Sequence, residues 1–431
     1  MKPHPRPTSL HGQQGAATLV VVMMLFLIMA LLAAYANRSM LFEQRMASSY
    51  YRASLAQEMS EAALEWSITM LNGKAIDENC QPVATGGQRF VDRYLKFSAE
   101  DRGIKQNVAS GSGITTLVAD CTRSSTGWSC RCPALGERKT PDAVASVDLV
   151  PSFGIFIPPK NLGSGTLQIV ARGCTTSVVD ECGGGVGNTQ RYQGRSDQDA
   201  LIALVSAVRS PPAAPLVAKG SITASGADGL GLHNTSPGSA GLLATAGGAL
   251  NGLQDHRMES VPGTPPSAAL IATDSQLSKV DADLFRMFMG ATAERYQQHA
   301  SLRVVSCDAD CAPALEDAYK AGIRILWVEG PLTISSNKTL GTADDPIVVI
   351  ANGAVTLSGP FQLSGMLVSR GDLDWSNTSG LTSLVNGVVL AEGDVHTSGK
   401  MDIYYQTKVV DQLRNRVGSF VRVPGGWTDH N

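Results

Sequence analysis

The chain has 431 residues and a formal net charge of −3, with its basic residues dispersed along it. Length gives room for two or three domains at roughly 100–200 residues each, and the dispersed charge gives no sign of a nucleic-acid platform. With 44 glycines and only 6% aromatic residues, the composition suits short strands and turns better than a large helical protein.

Residues 1–15 read as a polar leader holding Lys2, His4, Arg6 and His11 and no acid. Residues 16–36 are then apolar except for Thr18. About 20 apolar residues at ~1.5 Å each span a bilayer core, and Lys2 and Arg6 hold the amino end on the cytoplasmic side. Residues 38–71 contain no Pro or Gly and are rich in good helix formers. Phe42, Met46 and Tyr50, then Tyr51, Leu55, Met59, Ala62 and Trp66, recur mostly at spacings of three or four and predict one stripe on a continuous helix. Asn72-Gly73 supplies the stop. Two other readings of this end exist. Ala34-Tyr35-Ala36 has the A-x-A form of an ordinary signal-peptidase site. The core before it is long for a signal peptide, and a cut there discards half of a helix whose pattern runs through the site. An uncut signal anchor is the second.

From Cys80 to about Ser210 the pattern is mostly strand. Ser110-Gly111-Ser112-Gly113 is a turn cluster. Candidate strands are residues 115–119, 128–134, 144–157 and 166–171, with a short apolar segment of open type at 200–208. Gly183-Gly184-Gly185 with Gly187 is a glycine-rich loop, but no Lys-Ser or Lys-Thr follows it, which argues against a phosphate site. Ser210-Pro211-Pro212-Ala213-Ala214-Pro215 marks a boundary.

After that boundary an apolar strand, a Gly and an alternating strand follow one another around Gly220. The form returns around Gly330, Gly353, Gly371 and Gly393, the last four about 20 residues apart, as in a stacked solenoid. Each unit alone cannot bury its apolar face, so neighbours must stack. The irregular spacing predicts a short, distorted β-solenoid; a β-sandwich with merely alternating strands is the alternative. Residues 234–266 read as loop, residues 277–298 as a helix with Val280, Leu284, Met287 and Phe288 on one side, and residues 312–321 as a second helix. These make a helical insertion near 277–321.

All eight cysteines follow the apolar run, in a compartment that the topology makes periplasmic, so they read as disulfides. The sequence does not fix the pairing; the expected set is Cys174 with Cys182, Cys307 with Cys311, and two bridges among Cys80, Cys121, Cys130 and Cys132. A zinc reading of Cys130-Arg131-Cys132 lacks a second pair at zinc spacing and a nearby His. No metal or cofactor is expected. The seven His are scattered, and no G-x-S-x-G or H-E-x-x-H occurs. Asp372, Asp374, Ser376 and Asn377 are oxygen-rich but miss calcium-loop spacing. Asp372, Asp374, Glu392 and Asp394 could align across two solenoid units as a carboxylate pair for polymer cleavage, or be outward polar positions, the reading favoured.

The leader and rod together resemble a prepilin, and more closely the PilX-type minor pilins. Their amino end reads roughly Q-x-G-A-A-L, an apolar run, E-R-M-A, then A-x-E-A-A-L. Here stand Gln13-Gln14-Gly15-Ala16-Ala17, Glu43-Gln44-Arg45-Met46-Ala47 and Ser60-Glu61-Ala62-Ala63-Leu64. Leu284-Phe285-Arg286-Met287-Phe288-Met289-Gly290 is similar to the family's aromatic-rich helix. The end, Asp402-Ile403-Tyr404-Tyr405 with Val423-Pro424-Gly425-Gly426-Trp427-Thr428-Asp429, is similar to its D-I-x-Y-D and V-P-G-S-W-R-D close, with departures at Gln406, Gly426 and Thr428.

The resemblance implies an α+β protein. Residues 1–15 would be a prepilin leader, 16–73 a membrane and filament helix, 74–210 a pilin-like antiparallel α/β roll, and 211–431 the solenoid-like part. It implies cleavage between Gly15 and Ala16 by prepilin peptidase, N-methylation of the new end, and residence in the inner membrane, amino end in, before entry into a pilus. It implies as partners the other minor pilins, the major pilin and a tip adhesin, with no nucleic acid, and a non-enzymatic role. Val20, fifth after the cut, stands where typical prepilins carry the Glu that meets the terminal amine of the preceding subunit. That lack implies a tip or priming subunit. A membrane-anchored solenoid that binds or cleaves a surface polymer is the competing function.

Overall fold

In a computed structural model, residues 14–98, 102–108, 117–137, 149–179, 182, 194–226, 228–307 and 309–430 are described. The basic residues of the leader, the turn cluster at 110–113, the first part of the 144–157 strand and the loop at 183–187 lie outside them.

Helix α1 runs unbroken over Gln14–Leu71, as the absence of Pro and Gly after Gly15 predicts. Asn72 ends it: its side-chain amide donates to the Ile68 carbonyl at 2.9 Å and to the Phe420 carbonyl at 2.8 Å. The carboxyl-terminal part of α1 lies on one face of a six-stranded antiparallel sheet. Its strand order is Gly418–His430, Arg195–Ser206, Thr166–Cys174, Ser152–Phe156, Leu117–Ser124 and Gly127–Arg131. The alternating burial of Thr166–Cys174 and Arg195–Ser206 marks a sheet with one face on a core. That core holds Leu64, Leu71, Phe90, Tyr94, Phe153, Ile155, Ile169 and Ile202. Helix α2 (Phe90–Tyr94) closes one side of it.

The outer strand Gly418–His430 comes from the far end of the chain. Residues 211–431 therefore do not form a self-contained solenoid: the chain leaves it after helix α6 (Thr407–Asn415) and returns to complete the first sheet.

Between these crossings the backbone winds into a three-faced parallel β-solenoid. One face stacks Leu302–Val305, Ile325–Val328, Ile347–Ala351, the second half of Gln362–Ser369, the second half of Ser383–Ala391, Leu216–Ala218, Ala244–Ala246 and Leu270–Ile271. A second face runs Leu332–Ile334, Val355–Ser358, Leu373–Asn377, Val395–Gly399, Ile222–Ser225 and Leu250–Asn251. The coils do not stack in chain order, because the first unit in sequence sits beyond the last, with Leu216 opposite Val389.

The repeat of apolar strand, Gly and alternating strand has a physical cause. The inner strands of the first face, such as Ile325–Val328 and Ile347–Ala351, are buried on both sides. Ile347, Val349 and Ala351 point into the solenoid. Val348 and Ile350 face helices α3 (Leu284–Met289), α4 (Ala293–Tyr296) and α6 on the outside. A strand covered twice must be apolar throughout. Strands of the second face have no such cover, so Val355–Ser358 alternates buried and exposed.

Two expectations are corrected here. Residues 234–266 are not simply loop: Ala244–Ala246, Leu250–Asn251 and Met258–Glu259 form a further coil. Small residues there hid the apolar signal. Nor do residues 277–298 form one helix. Gly290 ends α3 in the left-handed conformation, φ 81°, and a Cβ there would stand 2.5 Å from Cδ of Arg209. Val280 is 98% exposed, and Phe285 takes its place in the core at 1%. The second helix, α5, runs over Ala312–Lys320.

Candidate functional site

The long helix divides into two parts by what covers it. Among the described residues, nothing in the chain covers positions 19–32, and all their large side chains are exposed, Val20 at 52%. The helix that contains this stretch is long and apolar enough to cross a membrane. Its backbone hydrogen bonds close within the helix, as an apolar medium requires. Gly15 and Ala16 lie in its first turn. Phe42, Met46, Tyr50 and Tyr51 continue the uncovered apolar surface past the first charged residue, Arg38.

The other part is seated on the sheet, and the seat is narrower than the aromatic stripe suggested. The fully buried positions are Ala56, Ser60, Ala63, Leu64, Ser67 and Leu71. Leu55, Met59, Ala62 and Trp66 lie on the shoulder, half-buried. The reason is distance. A Cβ on Gly173 would stand 1.9 Å from the Ala56 carbonyl oxygen, and one on Gly194 would stand 2.2 Å from that of Arg52. Helix backbone and sheet backbone touch there, so only small side chains fit between them. Trp66 packs beside this seam, edge-on to Phe90 at 6.1 Å and tilted against Phe153 at 5.6 Å. Asn72 locks the end of the rod to the returning strand: the Phe420 amide donates to its Oδ1 at 2.8 Å, and its own amide donates back to the Phe420 carbonyl. Sequence reading missed Gly173 and Gly194, and it found Asn72 as the helix stop without its clasp on Phe420. The Ala56-Ser60-Ala63-Ser67 spacing was the available signal.

A cluster of charges joins the antiparallel sheet's side to the solenoid. Arg89 donates to Asp92 at 2.6 Å and to Asp345 at 2.9 Å. Arg416 reaches Asp92 at 2.6 Å, and Arg324 reaches Asp345 at 2.5 Å. Burial alone would raise the Asp345 pKa, but the Arg324 hydrogen bond and the charges of Arg89, Arg324 and Arg416 hold it below the usual carboxylate range.

The structure pairs all eight cysteines. Cys121 bonds Cys130 directly across a hairpin. Cys80 bonds Cys132 and ties the segment after α1 to that hairpin. Cys174 bonds Cys182, and Cys307 bonds Cys311 just before α5. Cys130 and Cys132 thus belong to two different bridges.

The solenoid carboxylates cap backbone. Asp372 accepts from the Asp394 amide at 2.8 Å, Asp394 from the Ser221 amide at 2.6 Å, and Glu392 from the Phe285 amide at 3.1 Å. Asp374 points outward on its strand. Asn377 is buried and donates to the Leu381 and Lys400 carbonyls. Asp372, Asp394, Glu392 and Asn377 thus each hold backbone at the corner or edge of a coil. Elsewhere on the solenoid, Asp402 accepts from Arg257 at 2.8 Å and lies 3.1 Å from Nε2 of His233, whose ring stacks on Tyr404 at 4.1 Å.

Comparison with known proteins bears on the rod. Residues 14–65 match the family described as PilX N-terminal. No curated protein matches the chain. Among solved structures, the competence-associated pilin ComZ from Thermus thermophilus is similar at 10% identity, with a TM-score of 0.23, over 88% of this chain and 98% of that one. The rod is therefore the part of the chain that is similar to the PilX N-terminal family.

Proposed function

We propose that this chain is a minor pilin that prepilin peptidase cuts between Gly15 and Ala16 and that then enters a type IV pilus at the tip or as a priming subunit. The observation that carries the proposal is the rod itself. Its uncovered apolar half needs first a bilayer and later neighbouring subunits, and its other half is fixed rigidly to a folded body. Before assembly the rod anchors the chain in the inner membrane with the amino end inside, and the body lies in the periplasm. Residues 1–15 serve as leader, 16–73 as rod, 74–210 with the returning strand Gly418–His430 as pilin head, and the solenoid with its helices as distal body. The other minor pilins, the major pilin and a tip adhesin are the partners this role requires.

Val20 supports placement at an end. An unpaired terminal amine in an apolar core is costly, and a subunit without the usual carboxylate cannot neutralise a predecessor. A first subunit has no predecessor. Immunogold labelling of an epitope inserted in the loop around Gly238 tests the position. Signal confined to pilus ends supports the proposal. Signal along the whole shaft, or abundance in sheared pili close to that of the major pilin, ends it.

A further inference from the structure

A cleft of about 790 Å³ opens between the outer face of the antiparallel sheet and helices α4 and α6. Four arginines from four separate elements converge on it: Arg102, Arg209 after strand Arg195–Ser206, Arg295 on α4 and Arg414 on α6. Among the described residues its lining contains no Asp or Glu, and none of the four arginines forms an ion pair with a described carboxylate. Among the described residues, the Arg102 guanidinium donates to the Ser206 hydroxyl at 3.3 Å. The contrast is the cluster where Arg89, Arg324 and Arg416 are each paired with Asp92 or Asp345. Leaving four like charges together costs stability through mutual repulsion, so the cleft is built for an anion from outside.

The rest of the lining narrows the class. Val205 is 46% exposed and Val421 is 38% exposed, diagonal to one another on the same face of neighbouring strands, with Met289 also in the lining. Tyr296 is buried with its hydroxyl donating to the Ala207 carbonyl. Nucleic-acid bases need exposed aromatic faces for stacking, and this cleft offers aliphatic surface instead. We infer that it docks an acidic peptide segment of a partner protein, with carboxylates on the arginine rim and aliphatic side chains on Val205 and Val421. Complementary charge of this kind sets specificity and speeds encounter.

The test uses the full chain in detergent and a fluorescent peptide alternating Glu and Leu, followed by anisotropy. Binding that weakens with salt is expected, and the exposed pair R209E/R414E should lower affinity by about tenfold or more through like-charge repulsion. V205S/V421S should weaken it too, while R209K/R414K should keep most of it. R295E, at an exposed position on a different helix, gives an independent reading if the double variant folds poorly. Three results would overturn the inference: no binding at about millimolar peptide, unchanged affinity in the charge-reversal variants, or displacement by polyphosphate of equal charge as effectively as by unlabelled peptide.

Discussion

His299 carries the clearest pH dependence of any single residue. It sits half-buried beside Ser419 and Tyr296, and burial pulls its pKa down to about 4. The folded state therefore holds it neutral, while the unfolded chain protonates it near the ordinary value of about 6.5. Stability is full above that unfolded value and falls as pH drops from about 6.5 towards 4, by an amount on the order of 3 kcal/mol at most. Asp345, Asp402 and Asp197, held below the usual range in the fold, act in a lower window: their contributions are present above the unfolded carboxylate value and are lost as pH falls through their folded values. Thermal unfolding between pH 7 and 4 should thus flatten in His299→Gln relative to the parent, with the acid limb below pH 4 retained in both. Gly173 is the other decisive residue. An alanine there meets the Ala56 carbonyl and the Ser60 amide, atoms that cannot swing away. We expect Gly173→Ala to cost about 1–3 kcal/mol in urea unfolding. Gly238→Ala, with nothing nearer than 3.8 Å, is the control and should be close to neutral.

Among the elements, what could be read in the sequence depended on whether local pattern or remote contact decides the structure. The unbroken α1 was legible because the apolar run and the good helix formers act locally. So were the solenoid strands at Ile325–Val328 and Ile347–Ala351, where a continuous apolar run betrays burial on both faces. The coil at Ala244–Ala246 was illegible because alanines pack inside the solenoid without large side chains to announce it. The buried stripe of α1 was misplaced by one position because aromatics carry the stronger pattern, whereas close backbone approach selects the small residues. That approach depends on Gly173 and Gly194, more than a hundred residues away in sequence, and on no local signal. The stacking of Leu216–Ala218 beyond Ser383–Ala391 was equally hidden, since spacing along the chain gives no order in space. The bridges differ in what they enclose. Cys80 and Cys132 are 52 residues apart, Cys307 and Cys311 only 4. On the chain-entropy model, removing the first pair as Cys80→Ser/Cys132→Ser should cost about 4 kcal/mol and removing the second about 2. Denaturant unfolding of the two double variants should rank them in that order, and thiol labelling of the denatured, unreduced parent should find the cysteines oxidised.

At the scale of the molecule, one rigid connection governs how the protein works. The rod is fixed to its sheet at Gly173, Gly194 and Asn72, the last strand closes that sheet from the far end of the chain, and the Asp92 and Asp345 cluster joins the solenoid to it. Withdrawal of the rod from a bilayer would therefore move the whole body with it. That body, roughly 50 Å across by compact-domain scaling, is easier to place at the end of a filament than within a close-packed shaft. Under the proposed role residues 1–15 would be removed first, because Lys2 and Arg6 would resist being drawn through the bilayer. Gly15→Val should leave the leader attached and keep the chain out of the pilus, seen as a slower-migrating band confined to membranes. The most direct measurement is the intact mass of the mature chain purified from cells. A chain beginning at Ala16, with its amino end methylated, is the predicted result. A chain retaining Met1, or one beginning at Asn37 after a signal-peptidase cut, would contradict it.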